Sequence, residues 1–426
     1  MRKYLKNPLL QRMAVYALSD GIAKAMPFLV FPIVLSYLTT SEFGIVTNFN
    51  VITQVFSAII GMHLTTLINV EYYKNSQEKN KILISNIFWV HIFISILIFF
   101  VIYFVRTKIE KYTGLSFNWQ LLALSSTFMG VIFSLYTTVL RLQEKAKIYT
   151  YYTTTNSIIG ALLTFLFVSV FLLSWQGRIY SIVLTSLLFL FPSVYFLFKG
   201  NLILSIFNFK SIKSILKFGI PMIPHTLSFW FKTGFDKLLI TSYISMSANG
   251  LYSFGASISS IFFILNSSFN SAFVPYLFKN LSLSDETGDQ KIKNKLVTII
   301  YLYFLLYFIL LFLGYLAIKL IVFLYFDKYI QALDYLPYFL VFNLLNAGYQ
   351  IFVNFIFYKK ETKYLGIITF TFALLQTLFS YIFIKFFAMH GVGMALVLSN
   401  LLLLVVIIYL STKKYKMPWL NFNYKL

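Results

Sequence analysis

The sequence predicts an all-α polytopic membrane protein of about twelve transmembrane helices, arranged as two six-helix repeats around a central cavity. Two features of the composition indicate this class: 59% of the residues are hydrophobic and only 11% are charged, whereas soluble domains carry about 25% charge. A third indication is that apolar segments of about 20 residues recur along the chain. This is the length of helix that crosses a hydrocarbon core about 30 Å thick. The predicted spans are 14–38, 44–70, 82–104, 119–140, 150–173, 179–198, 216–242, 251–277, 296–324, 335–357, 364–387 and 391–411.

Basic residues are divided unevenly between the two sides of these spans. Of the 35 Lys and Arg residues, 25 lie in the amino end, the alternate loops and the carboxyl tail, and 5 lie in the opposite loops. Positively charged loops remain in the cytoplasm, so we expect both termini there. This orientation and the attraction of anionic lipid account for the net charge of +22, so a nucleic-acid partner is not expected.

The amino-terminal segment and the absence of cysteine exclude a cleaved signal peptide and cysteine-based sites. The basic start precedes a span that is too long for a cleavable signal peptide and has no small-x-small site, so we expect the first helix to stay as an anchor. The chain has no cysteine, which excludes disulfides and thiolate metal sites. No metal site is expected.

Charged residues lie inside the first and seventh spans. Asp20 and Lys24 are four positions apart in span 1, and Lys232, Asp236 and Lys237 repeat the arrangement in span 7. A charge in mid-span costs roughly 2.5–3.5 kcal/mol on insertion scales, so such residues normally face a bundle interior or a wet cavity. The lysines are therefore predicted to line a cavity. Two interpretations of the aspartates stay open: charge pairing with the lysine four residues away, or a proton or sodium site.

The chain repeats itself. The motif Ser-Tyr-x-x-x-Ser-x-x-Gly occurs at 36–44 and again at 242–250, and a second echo relates Gln143–Lys147, after span 4, to Lys360–Lys363, after span 10. Two lobes in equivalent orientation are typical of alternating-access transporters. The predicted domains are an N-terminal lobe (1–200), an inter-lobe linker (201–215), a C-terminal lobe (216–412) and a cytoplasmic tail (413–426).

Polar side chains recur on one face of spans 2 and 10. The stripe in span 2 begins with Asn50 and Gln54, and the stripe in span 10 includes Asn346 and Gln350. Spacings of three and four residues place each set on one side of a helix. Such a face either lines a cavity or packs against another helix, and both interpretations stay open. His91 in span 3 is expected to pack against a neighbouring helix.

Span 7 and the helix after it carry a set of prolines, glycines and one acidic-basic pair. They lie at Phe218–His225, Ser228–Trp230, Asp236–Lys237, Gly250–Ser253 and Phe273–Pro275. This set resembles the mid-chain signature of the Wzx-type oligosaccharide flippases of the multidrug/oligosaccharidyl-lipid/polysaccharide exporter superfamily, and the resemblance extends over essentially the whole chain. One departure is that no arginine falls within a predicted span, so lysine would have to supply the positive charge of the cavity.

The resemblance implies a substrate and a route. The substrate is undecaprenyl diphosphate bearing an O-antigen or capsule repeat unit, moved from the cytoplasmic to the outer leaflet of the bacterial inner membrane. Lys24, Lys232 and Lys237 would bind the diphosphate as point charges, while the amide stripes contact the glycan. The resemblance implies no cofactor beyond coupling to H⁺ or Na⁺, and its implied partners are membrane lipids, a glycan polymerase and other assembly proteins.

Other functions fit the residues less well. The main alternative is a cation-coupled multidrug exporter of the same superfamily, but three lysines against two aspartates in spans 1 and 7 disfavour an acidic pocket. A sugar carrier of the major facilitator type would need a Gly-x-x-x-Asp-Arg signature, which is missing. An enzyme is not expected and no catalytic residue is assigned, because the longest outer loop, Val105–Asn118, has Glu110 as its only acid. A structural scaffold would leave the in-span charges unexplained.

Overall fold

The computed structural model describes residues 8–204, 207–359 and 365–419, and for residues 8–18, Asp20, Lys24 and His225 it describes the backbone alone. These residues form thirteen α-helices, one π-helical turn (Leu166–Val170) and one 3-10 helix (Asp327–Asp334), without a strand. The helices are α1 (Pro8–Tyr37), α2 (Thr40–Gly61), α3 (Leu64–Glu71), α4 (Gln77–Thr113), α5 (Phe117–Leu142), α6 (Ala146–Phe165), α7 (Ser174–Lys199), α8 (Phe209–Thr233), α9 (Phe235–Tyr243), α10 (Met246–Thr287), α11 (Gln290–Tyr325), α12 (Leu336–Tyr358) and α13 (Leu365–Lys414).

Nine helical segments among the described residues are long and apolar enough to cross a membrane. The predicted all-α, multi-pass membrane fold is therefore confirmed. The longest helix, α13, is two helices joined at Ala388, whose φ of 49° and ψ of −132° are not helical. This break falls between the predicted spans 364–387 and 391–411. The count of twelve crossings stays a prediction.

Short polar sequences explain where the helices begin. At the start of α2, Thr39 Oγ1 accepts a hydrogen bond from the N–H of Glu42 (3.3 Å), and Glu42 Oε2 accepts one from the N–H of Thr39 (2.8 Å). This reciprocal capping box satisfies two backbone donors that a helix start leaves unpaired. Ser76 and Asp289 cap α4 and α11 by accepting from backbone N–H groups of the first turn.

The chain divides into two compact units. The first contains residues 1–230 and 245–250, and the second contains residues 231–244 and 251–426. α8 lies with the first unit as far as Trp230, whose indole N–H donates to the Val51 carbonyl at 3.1 Å. The predicted lobe boundaries, on either side of the 201–215 linker, stay predictions.

Within the first unit, the two copies of the repeated motif meet at the starts of α2 and α10. A Cβ added to Gly44 would overlap the carbonyl oxygen of Met246, and a Cβ added to Gly250 would overlap that of Thr40. Because Thr40 and Met246 each lie four residues before their glycine, the contact is reciprocal. The hydroxyls of Thr40 and Ser247 are 2.6 Å apart. The close approach of two backbones explains the glycine in both copies of the motif.

Candidate functional site

A polar cavity of about 520 Å³ lies in the first unit. Its walls come from α2, α3, α4, α5, α7 and α8, and much of its polar lining consists of amide and hydroxyl side chains. These include Asn50, Gln54, Ser57, Ser126, Thr127 and Ser134.

The face of α2 that was predicted from sequence supplies one wall of this cavity. Asn50 and Gln54 are exposed to the cavity, whereas Phe49, Phe56 and Ile60 on the other sides of the helix are buried. The apolar residues anchor α2 in the core and thereby fix the direction of the amides. The structure thus brings these two predicted site residues together, while their role in substrate binding stays a prediction.

His91 of α4 also lines this cavity. Its side chain is almost fully buried, with 1% of its surface exposed. Its Nδ1 lies 2.8 Å from the Ile60 carbonyl oxygen. A carbonyl accepts hydrogen bonds, so Nδ1 carries the proton and Nε2 is left as an acceptor. His91 therefore holds the carboxyl end of α2 and also contributes to the cavity wall.

The ionisable side chains among the described residues that line the cavity are those of His63 and His91. None of the described residues that line it is Lys, Arg, Asp or Glu. Amides and hydroxyls both donate and accept hydrogen bonds, as sugar hydroxyls do, whereas a phosphate would find no lysine or arginine among the described residues there. The volume lies within the roughly 300–1,000 Å³ of known ligand pockets. This cavity is suited to a neutral polar ligand such as part of a glycan.

A buried carboxylate forms a second centre, in the second unit. Asp236 of α9 is only 2% exposed, and its Oδ2 accepts a hydrogen bond from Gln376 Nε2 of α13 at 3.1 Å. The hydroxyls of Ser380 and Tyr252 lie close to the same carboxylate. Among the described residues, neither Asp236 Oδ1 nor Ser380 Oγ has a hydrogen-bond partner. Asp236 Oδ1 is thus a buried acceptor without a hydrogen bond, beside the hydroxyl of Ser380.

Gln376 holds this centre in one orientation. Its Nε2 donates to Asp236 and also to the Lys232 carbonyl at 2.9 Å, so both amide protons are used. Its Oε1 accepts from Ser399 Oγ and Asn400 Nδ2, each at 3.4 Å. Gln376 was not singled out in the sequence, where it is one polar residue in a long apolar run.

Of the two lysines near Asp236, Lys237 interacts electrostatically with its carboxylate but is not close enough for a salt bridge. α8 ends at Thr233 and α9 begins at Phe235, and the intervening Gly234 interrupts the helix. Because of this break, Lys232 and Asp236 do not lie one helical turn apart on a continuous helix. Lys232 and Lys237 are half-buried, and among the described residues neither forms a salt bridge with Asp236.

The predicted stripe on α12 lies along a seam with α10 in the second unit. Gln350 Nε2 donates to Asn346 Oδ1 at 2.9 Å and to Ser267 Oγ of α10 at 3.4 Å. One turn further on, Asn354 Nδ2 donates to Asn270 Oδ1 at 2.8 Å. Asn346 and Gln350 are half-buried. The structure thus shows them in contacts between helices, and their contact with a substrate stays a prediction.

Three predicted features fall outside the described part of the chain. The side chains of Asp20 and Lys24 are not described, although the backbone of both lies in α1. The segment Lys360–Lys363, half of the second echo, lies between α12 and α13 in a range that is also outside the description.

Three arginines that were counted with the loops lie inside helices: Arg106 in α4, Arg141 in α5 and Arg178 in α7. All three lie in helices that are long and apolar enough to cross a membrane, but outside the apolar runs that define the predicted spans, so the expectation that no arginine falls within a span stays a prediction. Arg178 lies four residues after Ser174, the first residue of α7. Only residues 171–173 separate the π-helical turn Leu166–Val170 from α7, which begins earlier than the apolar run indicates. Arg178 is half-buried and lines a smaller cavity of the first unit.

Comparisons with known proteins agree with this architecture. The family model described as polysaccharide biosynthesis protein matches residues 9–281. A protein of the Lsg locus of Haemophilus influenzae is 24% identical over 359 residues, which cover 82% of this chain and 84% of that protein. An uncharacterized membrane protein of the same organism is 24% identical over 374 residues, covering 83% and 85%.

Two solved structures are similar in fold. A multidrug resistance MATE family transporter of the MOP superfamily, in its inward-facing conformation, has a TM-score of 0.69 at 14% identity and covers 92% of this chain and 94% of its own. The lipid II flippase MurJ, in an inward closed conformation, has a TM-score of 0.66 at 15% identity and covers 94% and 87%. At such identities the likeness shows that this chain has the same fold as these transporters.

Proposed function

This chain belongs to the polysaccharide biosynthesis protein family, and we propose that it is a flippase for an undecaprenyl-diphosphate-linked oligosaccharide. It would move an O-antigen or capsule repeat unit from the cytoplasmic to the outer leaflet of the bacterial inner membrane by alternating access, with both termini in the cytoplasm. A glycan polymerase and other assembly proteins would receive the product. The family match and the fold support a multi-pass membrane protein of a polysaccharide biosynthesis family with an exporter fold.

The observation that carries the proposal is the polar cavity of the first unit, which no described Lys, Arg, Asp or Glu lines. A glycan needs many hydrogen-bonding groups that both donate and accept, and it is hindered by charges that must be desolvated without a partner. Asn50 and Gln54 supply such groups together with the hydroxyls of α5. The proposal assigns the sugar to this cavity and the diphosphate to the in-span lysines Lys24, Lys232 and Lys237.

Coupling to an ion is proposed at Asp236. Keeping a buried carboxylate ionised costs several kcal/mol of desolvation, and uptake of a proton or a sodium ion offsets that cost. The unpaired Asp236 Oδ1 and Ser380 Oγ, with Tyr252 close by, supply oxygen ligands for either. The absence of a salt bridge to Lys232 or Lys237 among the described residues favours ion coupling over charge pairing.

The membrane potential is a second source of driving force. Moving two negative charges out of a cell that is negative inside releases about 4.6 kcal/mol at 100 mV. The membrane potential therefore favours export of a diphosphate even without a coupled ion. The ion at Asp236 would then reset the empty carrier.

The experiment uses a strain whose own copy of this chain is deleted, complemented with variants of it. Asn50→Leu and Gln54→Leu keep side-chain size but remove the hydrogen bonds to sugar. Each lost bond is worth about 1 kcal/mol, so surface glycan should fall roughly fivefold per variant while the lipid-linked precursor accumulates inside. Asn69→Leu is the matched control, because Asn69 is an exposed amide of α3 that does not line the cavity.

Wild-type surface glycan in both cavity variants would contradict the assignment of the sugar to this cavity. The alternative function, a cation-coupled multidrug exporter, is also compatible with a buried acid at Asp236. It predicts that deletion of the chain sensitises cells to cationic dyes and leaves surface glycan unchanged. Loss of glycan with unchanged dye sensitivity supports the flippase.

A further inference from the structure

Arg178 lines a separate cavity of about 240 Å³, enclosed by α1, α6 and α7 of the first unit. Its guanidinium is the only charged group among the described residues that line this cavity. None of the described carboxylates forms a salt bridge with it. A positive charge inside a membrane protein without a counter-charge is costly, which calls for an explanation.

One side of the guanidinium is held by two hydroxyls. Arg178 Nη1 donates to Thr164 Oγ1 at 2.6 Å and to Ser181 Oγ at 3.5 Å. Thr164 in turn donates to the Gly160 carbonyl at 2.7 Å, and Ser181 donates to the Arg178 carbonyl at 2.7 Å. The two hydroxyl oxygens also lie 2.9 Å apart, and a lone pair on each can accept from Nη1.

Arg178 lines the cavity, and among the described residues only its Nη1 has hydrogen-bond partners. A guanidinium has five N–H donors in a fixed fork, and the two hydroxyls use only the Nη1 side. The planar fork matches the spacing of two oxygens of a phosphate or carboxylate. Asn156 of α6 lines the same cavity and can add a further amide donor.

The hydroxyl groups that line the cavity favour an oxyanion that also carries a hydrogen-bond donor. Ser157, Thr185 and Ser186 each donate to a backbone carbonyl of their own helix, at 3.1, 2.6 and 2.9 Å. They therefore present lone pairs, which need a donor on the ligand. A phosphate that carries a hydroxyl, as a P–OH or on a glycerol headgroup, satisfies the guanidinium and these lone pairs together.

We propose that this Arg178 cavity is a phosphate-binding site. Two sources have the required chemistry: free inorganic phosphate, and the headgroup of a membrane phospholipid such as phosphatidylglycerol. The site is distinct from the cavity that is proposed for the glycan, and it stands whether or not the chain exports one.

The test uses the full-length chain purified in detergent. Its melting temperature is measured against inorganic phosphate, with chloride at matched ionic strength as the reference. In a second arm, the chain is reconstituted with phosphatidylglycerol or phosphatidylcholine, and the lipids that remain bound after delipidation are identified by mass spectrometry. The variants are Arg178→Gln, which keeps donors but removes the charge, and Arg178→Lys, which keeps the charge.

We expect a phosphate-dependent rise in melting temperature, retained phosphatidylglycerol, or both. Arg178→Gln should weaken binding at least about tenfold, the effect of losing one charge-assisted hydrogen bond, and Arg178→Lys should retain part of it. Ala161→Leu, which fills the cavity from α6 and leaves Arg178 in place, should also abolish binding. Arg106→Gln is the matched control, since Arg106 is exposed and its guanidinium stacks on Tyr103 outside the cavity.

The two arms separate the sources. A phosphate effect that depends on Arg178 assigns the site to the free anion, and a lipid effect alone assigns it to the headgroup. Binding in neither arm, or equal binding by wild type and Arg178→Gln, overturns the proposal. Phosphate binding that appears only in Asp20→Asn also overturns it, because Arg178 would then be neutralised by a carboxylate of α1 rather than by a ligand.

Discussion

Replacing Gly250 by alanine tests the reciprocal contact between the starts of α2 and α10. The new Cβ would lie 2.7 Å from the Thr40 carbonyl carbon and closer still to its oxygen, whereas ordinary contact begins at 3.4 Å. The two backbones must therefore separate by more than about 0.7 Å. Such a shift also stretches the hydrogen bond between Thr40 and Ser247.

The magnitude follows from three contributions. Overpacking of this kind costs roughly 1–3 kcal/mol, and weakening a hydrogen bond costs about 1 kcal/mol. The better helix propensity of alanine offsets about 1 kcal/mol. The free energy of unfolding should therefore fall by about 1–3 kcal/mol, which lowers the melting temperature by roughly 2–10 °C for a unit of this size.

The assay is thermal unfolding of the full-length chain in detergent. Gly44→Ala should give a similar decrease, because its Cβ would meet Met246 in the equivalent way. Gly21→Ala of α1 is the control, since a Cβ there has no atom within 4 Å. If Gly250→Ala melts at the wild-type temperature while the contact persists, the explanation of the repeated glycines is wrong.

The chain is free of cysteine, so Thr40→Cys with Ser247→Cys gives a single pair, which should form a disulfide under mild oxidation. Under alternating access this bond should stop glycan export, and reductant should restore it; full export by the cross-linked chain would count against opening at this contact. Asp236→Asn should remove any dependence of export on the proton or sodium gradient, measured in vesicles with imposed gradients, and an unchanged ion dependence would exclude Asp236. Lys24→Ala and Lys232→Ala should reduce surface glycan at least tenfold at normal protein levels, by loss of a charge-assisted contact to phosphate. Unaltered export in both would remove them from headgroup binding.

Much of the fold was predictable because lipid restricts the choices. An apolar run that crosses a membrane has to satisfy its own backbone hydrogen bonds and therefore forms a helix. The break at Ala388 separates two runs that the sequence already divided. The break at Gly234 was not predicted, because a single glycine within an apolar run carries no definite signal.

The candidate site was predictable in part. Asn50 and Gln54 were found because an amide is expensive on a lipid-facing helix and their spacing defines one face. Gln376 was missed because its neighbours in the sequence carry no distinguishing signal. An amide that orients a buried carboxylate and an amide that packs against another helix look the same in an apolar run. Arg178 was missed because α7 begins earlier than the apolar run indicates.

The sequence by itself determined the class of this protein: a multi-pass helical membrane protein with an internal repeat and charges kept inside its spans. These properties follow from hydropathy and from the cost of charge in lipid, which are local quantities. Only the tertiary structure decided which polar groups meet: the amides of α2 with the hydroxyls of α5, Asp236 with Gln376, and Arg178 with Thr164. These contacts depend on where helices bend and cross. Hydrogen bonds between segments that are distant in sequence produce no periodic pattern from which they could be predicted.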